Sequence, residues 1–513
     1  MRIPLPTTRD TSSQRSSDAW RLAAWAIALA TFAALLLPFA AQVGFTGFMA
    51  DDALYVLLVD ALSPAHADDP LLLYVRQVAH LPPLYPALLA LAGAGSEALA
   101  RAHLVQGLLV LVALAAQAAY VRLLSGSDRL GLLVLAVLAA LPATWLLASE
   151  LWSEFLYLAL TGIALACARQ AAVTPRWWYW AAALAGLAAI TRGVGLALIG
   201  ALVIGAFVRR RRALPGILAL AALPLVVARL AGQGSPGDYV EVFSGRVADL
   251  ARLPAVVITN IAAAGPGWAA VFQDHPATPA MLLAVLVALL ALLGAWPRLR
   301  RLEPDAVYVT LYLGLVAVWP FPDFMTRFLY PLVPLVLLYF ACGLRTCAAR
   351  ALPRMATERT LAVASVGLVV LFIAVACWSS PLAQRYFAPP PGPLTTYRTS
   401  RYWLSPPAPA RALDDLASKH AMTTFMRDLP RLVGPRECIH ARHPAAVMLH
   451  AHRLAFPAPA GTARPSRPTC RFHLVLADRA LDAVRADLWP GHQVLAESRL
   501  AGHPVAQLLR YDD

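Results

Sequence analysis

A few ionisable side chains stand at the ends of long apolar stretches of this chain, and their types suit group transfer. The adjacent carboxylates Asp51 and Asp52 can act as a general base or bind a divalent cation. Arg192 and Arg327 stand at the edges of apolar stretches, where a guanidinium needs an anionic partner such as a phosphate. Glu154 opens another such stretch, and an ionised group costs about 2.5–3.5 kcal/mol at the centre of a membrane helix. We therefore take these residues as the first candidates for a catalytic site.

Each carboxylate also has a structural interpretation. An Asp at a helix N-terminus accepts backbone N–H bonds, so one of Asp51 and Asp52 can serve as a cap; we assign function to one and capping to the other. Glu150 and Glu154 are four residues apart, so a helix would place both on one face as candidates for substrate binding and catalysis. An ion pair with a neighbouring helix is the competing interpretation for Glu154.

The basic and aromatic candidates for substrate binding have similar alternatives. Arg192 lies between two predicted helix ends and can bind a protein carboxylate, a lipid headgroup or a substrate phosphate. Arg327 can instead pair with Asp323, four residues earlier. His80 and Tyr85 flank two prolines at the start of a semi-apolar stretch and offer hydrogen-bond donors at the headgroup level. For Tyr85, membership of an aromatic belt at the membrane surface is the alternative.

The composition of the 513 residues identifies the environment of these groups. Apolar residues make up 59% of the chain and charged residues 14%, about half the share in soluble globular proteins. The mean hydropathy is +0.62. These values exclude a disordered or nucleic-acid-binding protein and argue against a soluble enzyme. The net charge of +14 then marks the cytoplasmic face of a membrane protein rather than a polyanion partner.

Apolar stretches predict about eleven transmembrane helices, each of about 20 residues. The first begins at Arg21, and the others are predicted at 102–124, 130–148, 151–168, 177–191, 193–208, 213–230, 279–296, 305–320, 328–346 and 360–378. Arginines collect in every second turn, which places the N-terminus in the cytoplasm and the C-terminus outside. The sequence thus predicts a multi-pass protein of the inner (plasma) membrane.

The domain organisation follows from these spans. We expect a cytoplasmic segment at 1–20, a membrane domain at 21–378 with outer loops at 42–101 and 231–279, and a periplasmic α/β domain at 379–513. The run 81–94 is too short to cross a bilayer and is predicted to lie in the outer interface. Cys438 and Cys470 both precede predicted strands in a compartment that permits a disulfide between them.

The order and membrane side of these motifs resemble the GT-C superfamily of integral-membrane glycosyltransferases, and most of all its family 39 branch. The resemblance lies in the acidic pair at position 51, Pro-Pro-Leu-Tyr at 82–85, Ser-Glu at 153–154, Thr-Arg-Gly at 191–193 and Arg-Phe-Leu-Tyr-Pro at 327–331. It implies that Asp51 is the catalytic base and that Arg192 and Arg327 hold a carrier phosphate. The chain departs from the pattern at Leu81, where the aminoarabinose transferases of this branch have Lys, and at Glu154, where the branch has Asp.

The resemblance implies a polyprenyl-phosphate-linked sugar as donor and a lipid, glycan or protein as acceptor on the periplasmic side, with inversion at the anomeric carbon. Membrane lipid is the expected surrounding partner, and nucleic acid is not expected. No cofactor is expected, although two carboxylates leave a divalent cation possible. The alternatives are a transporter or flippase of lipid-linked sugars, or an O-antigen polymerase or ligase.

Overall fold

The computed structural model describes residues 11–40, 45–48, 51–66, 68–78, 81–230, 253–273, 278–319, 322–351, 385, 388–404, 408–458, 470–477, 492–500 and 503–511. Most of the described residues before position 352 are helical. Their helices, α1 to α16 in chain order, are Thr11–Ala40, Asp51–Leu62, Pro70–Val78, Leu84–Leu91, Leu99–Ser125, Asp128–Ala140, Pro142–Ala148, Glu154–Gln170, Trp177–Ala189, Leu196–Arg209, Leu214–Leu230, Leu253–Phe272, Thr278–Arg300, Pro304–Ala317, Met325–Leu329 and Val333–Ala351.

Within the described residues, six helical segments are long and apolar enough to cross a membrane, or seven if the bent pair α6 and α7 counts as one span. They are Trp20–Ala40, Ser96–Ser125, Arg211–Leu230, Leu253–Phe272, Thr278–Arg300 and Met325–Arg350. Large apolar side chains on these helices face outward, such as Leu22 and Leu282. Apolar surface of this extent is typical of contact with lipid. The predicted multi-pass helical fold is thereby confirmed, while the count of eleven spans stays a prediction.

Three predicted boundaries differ from the structure. The stretch 130–148, predicted as one span, forms two helices bent by 62°, because Leu141 before Pro142 is extended. The predicted outer loop 231–279 contains the 20-residue helix α12, since Gly and Pro are tolerated inside apolar membrane helices. Helix α1 already begins at Thr11, inside the predicted cytoplasmic segment. The predicted last span, 360–378, lies outside the described residues.

The tail forms a small α/β domain, as predicted. Its sheet has the order β2-β1-β3-β5-β4; β1 runs parallel to β2 and β3, and β5 runs antiparallel to β3 and β4. The five strands are Cys438–Ala441, Leu454–Pro457, Phe472–Leu476, His492–Leu500 and His503–Tyr511, and the helices α17 to α19 are Arg401–Leu404, Pro409–Asp428 and Pro444–Ala451. Cys438 and Cys470 form a disulfide with their Cα atoms 5.1 Å apart, which joins the start of β1 to the chain two residues before β3.

Candidate functional site

Four charged side chains from distant parts of the chain meet in one cluster. The carboxylate of Glu154 is fully buried and forms ion pairs with both Arg192 and Arg327 through the same oxygen, Oε1. Arg327 also binds Asp51, with Nη1 2.6 Å from Asp51 Oδ2. The Asp51 side chain keeps 26% of its surface exposed, so the cluster is accessible at this residue. We name these four residues the ionic cluster; it holds two negative and two positive groups.

Both carboxylates of the ionic cluster stand on the first residue of a helix, Asp51 on α2 and Glu154 on α8. A helix N-terminus carries a partial positive charge that stabilises a nearby carboxylate by about 0.3–1 kcal/mol. The two helix starts are tied together by a hydrogen bond from the Tyr55 hydroxyl to Ser153 Oγ, 3.0 Å long. The fold therefore sets both carboxylates side by side before any substrate arrives.

Arg192 reaches the cluster from the turn between α9 and α10. Its backbone is extended, its N–H donates to Ala188 O, and its carbonyl accepts from the N–H of Gly195, 2.8 Å away. A Cβ on Gly195 would lie 2.6 Å from the Cα of Ala189, so the turn can approach the end of α9 this closely only with glycine there. The close turn directs the guanidinium at the start of α8.

Arg327 lies on the short helix α15. Its guanidinium stands 4.2 Å from the centre of the Trp152 ring, within the range of a cation–π contact. The Tyr312 hydroxyl donates to the carbonyl oxygen of Phe328 over 2.7 Å and fixes the backbone next to Arg327. The Phe328 ring in turn lies 5.6 Å from the Arg192 guanidinium. The two arginines are thus held by aromatic neighbours as well as by Glu154.

A buried hydrogen-bonded layer supports the ionic cluster. The Tyr85 hydroxyl donates to Gln106 Oε1 over 2.9 Å, and Gln106 Nε2 donates to the carbonyl oxygen of Trp152 over 3.1 Å. The Tyr85 ring packs edge-on against Tyr55. Burial, and secondly the charge of Asp51, raise the pKa of the Tyr55 hydroxyl above its ordinary value, so it stays protonated and donates.

Asp52, the second member of the acidic pair, accepts hydrogen bonds from the turn that precedes α2 and from α2 itself. It is buried, its Oδ2 accepts from the N–H of Gly47 over 2.7 Å, and its Oδ1 accepts from the N–H of Ala53 over 2.8 Å. Gly47 has a φ of +109°, a backbone conformation in which another residue would be strained. A Cβ at Gly47 would also lie only 3.1 Å from Ala446 of α19. Asp52 therefore shows the contacts of the predicted capping partner, and Asp51 is the carboxylate left at the cluster.

The C-terminal domain binds the same turn. His450 on α19 lies with Nε2 2.8 Å from the carbonyl oxygen of Thr46. Burial lowers the pKa of His450 to about 4, although this hydrogen bond opposes the shift. The ring is therefore neutral near pH 7 and donates its Nε2 hydrogen to Thr46. The tail domain thus packs against residues that lie only a few positions before Asp51.

The structure brings together four of the predicted site residues, and of the others it describes Asp52, Tyr85 and Glu150. Tyr85 is fully buried, so its alternative position in an exposed aromatic belt is wrong. Glu150 is buried but precedes α8, which begins at Glu154, so the expected shared helix face is wrong. His80 and the side chain of Asp323, the alternative partner of Arg327, lie outside the described residues.

Sequence reasoning missed four supporting residues. Tyr55 stands one helical turn after Asp51, and Trp152 and Ser153 directly precede Glu154, so their closeness to selected residues was an available signal. Gln106 is polar in the middle of an apolar span, which also singles it out. Its role depends on contacts with Tyr85 and Trp152 that spacing alone does not reveal.

The cluster has unused hydrogen-bonding capacity. Among the described residues, the buried atoms Glu154 Oε2 and Trp152 Nε1 have no hydrogen-bond partner. Buried polar atoms are normally paired, so such atoms mark a place that a ligand or water completes. In the described part of the chain, no group of three or more His, Cys, Asp or Glu side chains suits a metal ion.

Comparison with known proteins gives structural neighbours only. No protein-family model and no curated protein matches the chain. It is similar to ArnT from Cupriavidus metallidurans in the apo state (TM-score 0.47, 13% identity) and bound to undecaprenyl phosphate (0.46, 15%), with 96% of this chain and 98% of that chain covered in each. It is also similar to an Archaeoglobus fulgidus oligosaccharyltransferase tethered to an acceptor peptide (0.48, 17%), over 86% of this chain and 64% of that one.

Proposed function

We propose that the chain is a membrane glycosyltransferase that moves a sugar from a polyprenyl-phosphate carrier to an acceptor hydroxyl. The observation that supports this most directly is the geometry of the ionic cluster. Two guanidinium groups converge on a single carboxylate oxygen, next to a second carboxylate that stays accessible. Arginines suit a phosphate, and an accessible carboxylate suits proton abstraction.

The arginines would bind the donor phosphate. Arg192 and Arg327 share one oxygen of Glu154, so each guanidinium, with its five N–H donors, retains donors for another anion. A phosphate that takes over the Nη1 of Arg327 releases Asp51 from its ion pair. Donor binding therefore prepares the base in the same step.

Asp51 is the proposed general base. As the acceptor oxygen attacks the anomeric carbon, the hydroxyl O–H bond breaks and its proton moves to the Asp51 carboxylate. The bond between the anomeric carbon and the phosphate oxygen breaks at the same time, and its electron pair stays on the phosphate. Arg192 and Arg327 stabilise the charge that develops there. A single displacement of this kind inverts the anomeric centre.

Glu154 has a positioning role in this mechanism. It is fully buried, begins α8 and binds both arginines, so it orients them and keeps their charges balanced while the donor is absent. The proton acceptor has to be the carboxylate that a substrate can reach, and this is Asp51 with its partly exposed side chain.

The test uses the purified full chain in lipid nanodiscs with labelled polyprenyl-phosphate pentoses and hexoses and a panel of lipid, glycan and peptide acceptors. Asp51→Asn is expected to lower the transfer rate by about 10²–10⁴, the usual contribution of a general base. Released polyprenyl phosphate and labelled product are measured together. A flippase would move the donor across the bilayer and release neither.

Asp68→Asn is the matched control, because Asp68 is an exposed carboxylate in the same stretch of chain. It should keep full activity. Both variants should remain folded, since neither removes a fully buried group. Full transfer activity of Asp51→Asn would remove this residue from the role of base.

A further inference from the structure

A second charged region lies at the other end of the same helices. Helices α8 and α10 begin near Glu154 and Arg192 and end at Gln170 and Arg209. At 1.5 Å per residue, the 17 residues of α8 span about 25 Å. An open cavity of about 260 Å³ lies at this far end, between the ends of α8 and α10 and the junction of α13 with α14. We name it the far-end cavity.

The far-end cavity has an excess of positive charge. Four arginines line it, Arg169, Arg209, Arg210 and Arg298, together with two carboxylates. Each carboxylate forms an ion pair with one of these arginines: Asp305 with Arg298 and Glu303 with Arg209.

The other two arginines have no such neutralisation. Arg169 and Arg210 are exposed, and neither has a carboxylate within 4 Å among the described residues. The cavity therefore keeps two unneutralised guanidinium groups beside two fixed ones. This excess suits an anion with several oxygens, because guanidinium groups bind phosphate in a planar, paired geometry.

The walls of the cavity indicate the kind of anion. Apolar side chains line it beside the arginines, including Leu124, Leu165 and Trp178. Nearby aromatic rings face outward: Trp180 is 61% exposed next to the start of α9, and Trp296 near the end of α13 is 50% exposed with Arg300 over its ring. Exposed tryptophans of this kind mark the membrane–water interface.

We propose that the far-end cavity binds the phosphate of an anionic membrane lipid. Arg169 and Arg210 contact the phosphate, while the paired Arg298 and Arg209 shape the floor, and the lipid glycerol and upper chains lie along the apolar wall. The site is separate from the ionic cluster and does not depend on its chemistry.

The test measures lipid binding rather than transfer. The full chain is purified in detergent, and binding of dioleoylphosphatidylglycerol is titrated by native mass spectrometry, with zwitterionic dioleoylphosphatidylcholine, whose net charge is zero, as the comparison. Arg169→Gln/Arg210→Gln is expected to weaken phosphatidylglycerol binding about thirtyfold, from about a factor of five for each cation near a membrane surface. Both side chains are exposed, so the double variant should fold.

Arg129→Gln/Arg212→Gln is the matched control. It removes the same charge from exposed arginines that do not line the cavity, and it should bind phosphatidylglycerol like the unmodified chain. Equal loss in the two double variants would show general surface attraction and overturn the proposal. Equal binding of the two lipids would overturn it as well. Complete displacement of phosphatidylglycerol by inorganic phosphate would instead identify a site for a soluble anion.

Discussion

Asp305 and Glu154 are both buried carboxylates that bind arginines in the described part of the chain, and they do so in different ways. Asp305 binds one arginine, Arg298: the Arg298 Nε lies 2.8 Å from Oδ2, and its Nη2 lies 2.6 Å from Oδ1. Asp305 also accepts a third hydrogen bond, from the Tyr339 hydroxyl, over 2.8 Å. Glu154 serves Arg192 and Arg327 through one oxygen, and its second oxygen has no partner among the described residues.

The difference separates a structural ion pair from a site prepared for a ligand. A bidentate pair such as Arg298 with Asp305 uses both carboxylate oxygens, so the guanidinium is neutralised without another anion. Two arginines on one oxygen remain short of acceptors, and an added phosphate satisfies them. Burial is common to both carboxylates, so our proposal for Glu154 depends on the distribution of partners over its two oxygens.

The largest effect is expected from Glu154→Gln. It leaves two buried guanidinium groups without their shared counter-ion, and removing one partner of a buried pair costs about 3–5 kcal/mol. Transfer should also fall at least a thousandfold, because both arginines of the proposed phosphate site lose their orientation. Thermal unfolding in detergent and the transfer assay measure the two effects.

A double variant sharpens this prediction. Glu154→Gln/Arg192→Gln removes one charge of each sign and should regain part of the lost stability without regaining transfer, since contacting residues are energetically coupled. Stability and activity that recover together would show that Glu154 acts only through the fold.

Asp305→Asn is expected to cause a similar loss of stability, about 3 kcal/mol, because it leaves Arg298 without its buried partner. Transfer per folded molecule should be unchanged, since Asp305 belongs to the other end of the helices. The measurement is transfer activity normalised to folded protein. A loss of normalised activity as large as that of Glu154→Gln would end the distinction between the two carboxylates.

A smaller effect is expected when the pH is lowered, at the contact between the C-terminal domain and the turn before Asp51. Burial lowers the pKa of His450 to about 4, against about 6.5 when it is exposed. The undocked domain therefore binds the proton more readily, and docking weakens as the pH falls from about 6.5 to 4, by about 1.4 kcal/mol per pH unit. Docking is at full strength above pH 6.5.

Hydrogen exchange of residues 45–62 checks this expectation. Protection there should decrease between pH 6.5 and 4.5, and the decrease should be smaller in His450→Gln, which cannot gain the proton. Arg427, whose charge further lowers the pKa of His450, stays unchanged in both proteins. A pH dependence that is identical with and without His450 would exclude this residue as the origin.

Local patterns predicted much of the fold. Apolar patterns in the tail predict strands at 438–441 and 472–476, which are the residues of β1 and β3, and a helix at 410–429, within one residue of α18. Strand β4 was missed because it is largely exposed at the sheet edge and lacks an apolar pattern. The Gly and Pro residues of α12 predict a loop, because they disfavour a helix in water, whereas membrane helices tolerate them.

The cost of burying charge predicted the members of the ionic cluster but not their partners. An ionised side chain at the edge of an apolar stretch costs free energy unless it has a partner or a function. This cost predicts the four site residues Asp51, Glu154, Arg192 and Arg327. The pairing of Arg327 with residues 173 and 276 positions away could not be predicted, because spacing along the chain offers only local partners. The roles of Asp52 and Tyr85 depend in the same way on turns and contacts that only the folded chain defines.

The length of α8 has a consequence for how the substrates meet. Its span of about 25 Å is shorter than the hydrocarbon layer of a typical bilayer, about 30 Å, and most of its residues are enclosed by neighbouring helices. Charged groups at its two ends cannot both lie level with the lipid headgroups of a flat bilayer. If the far-end cavity lies level with the headgroups of one leaflet, as proposed above, the ionic cluster is recessed from the headgroups of the other. The proposed carrier would then draw its phosphate inward by a short distance, whereas a water-borne acceptor would have to descend to the cluster.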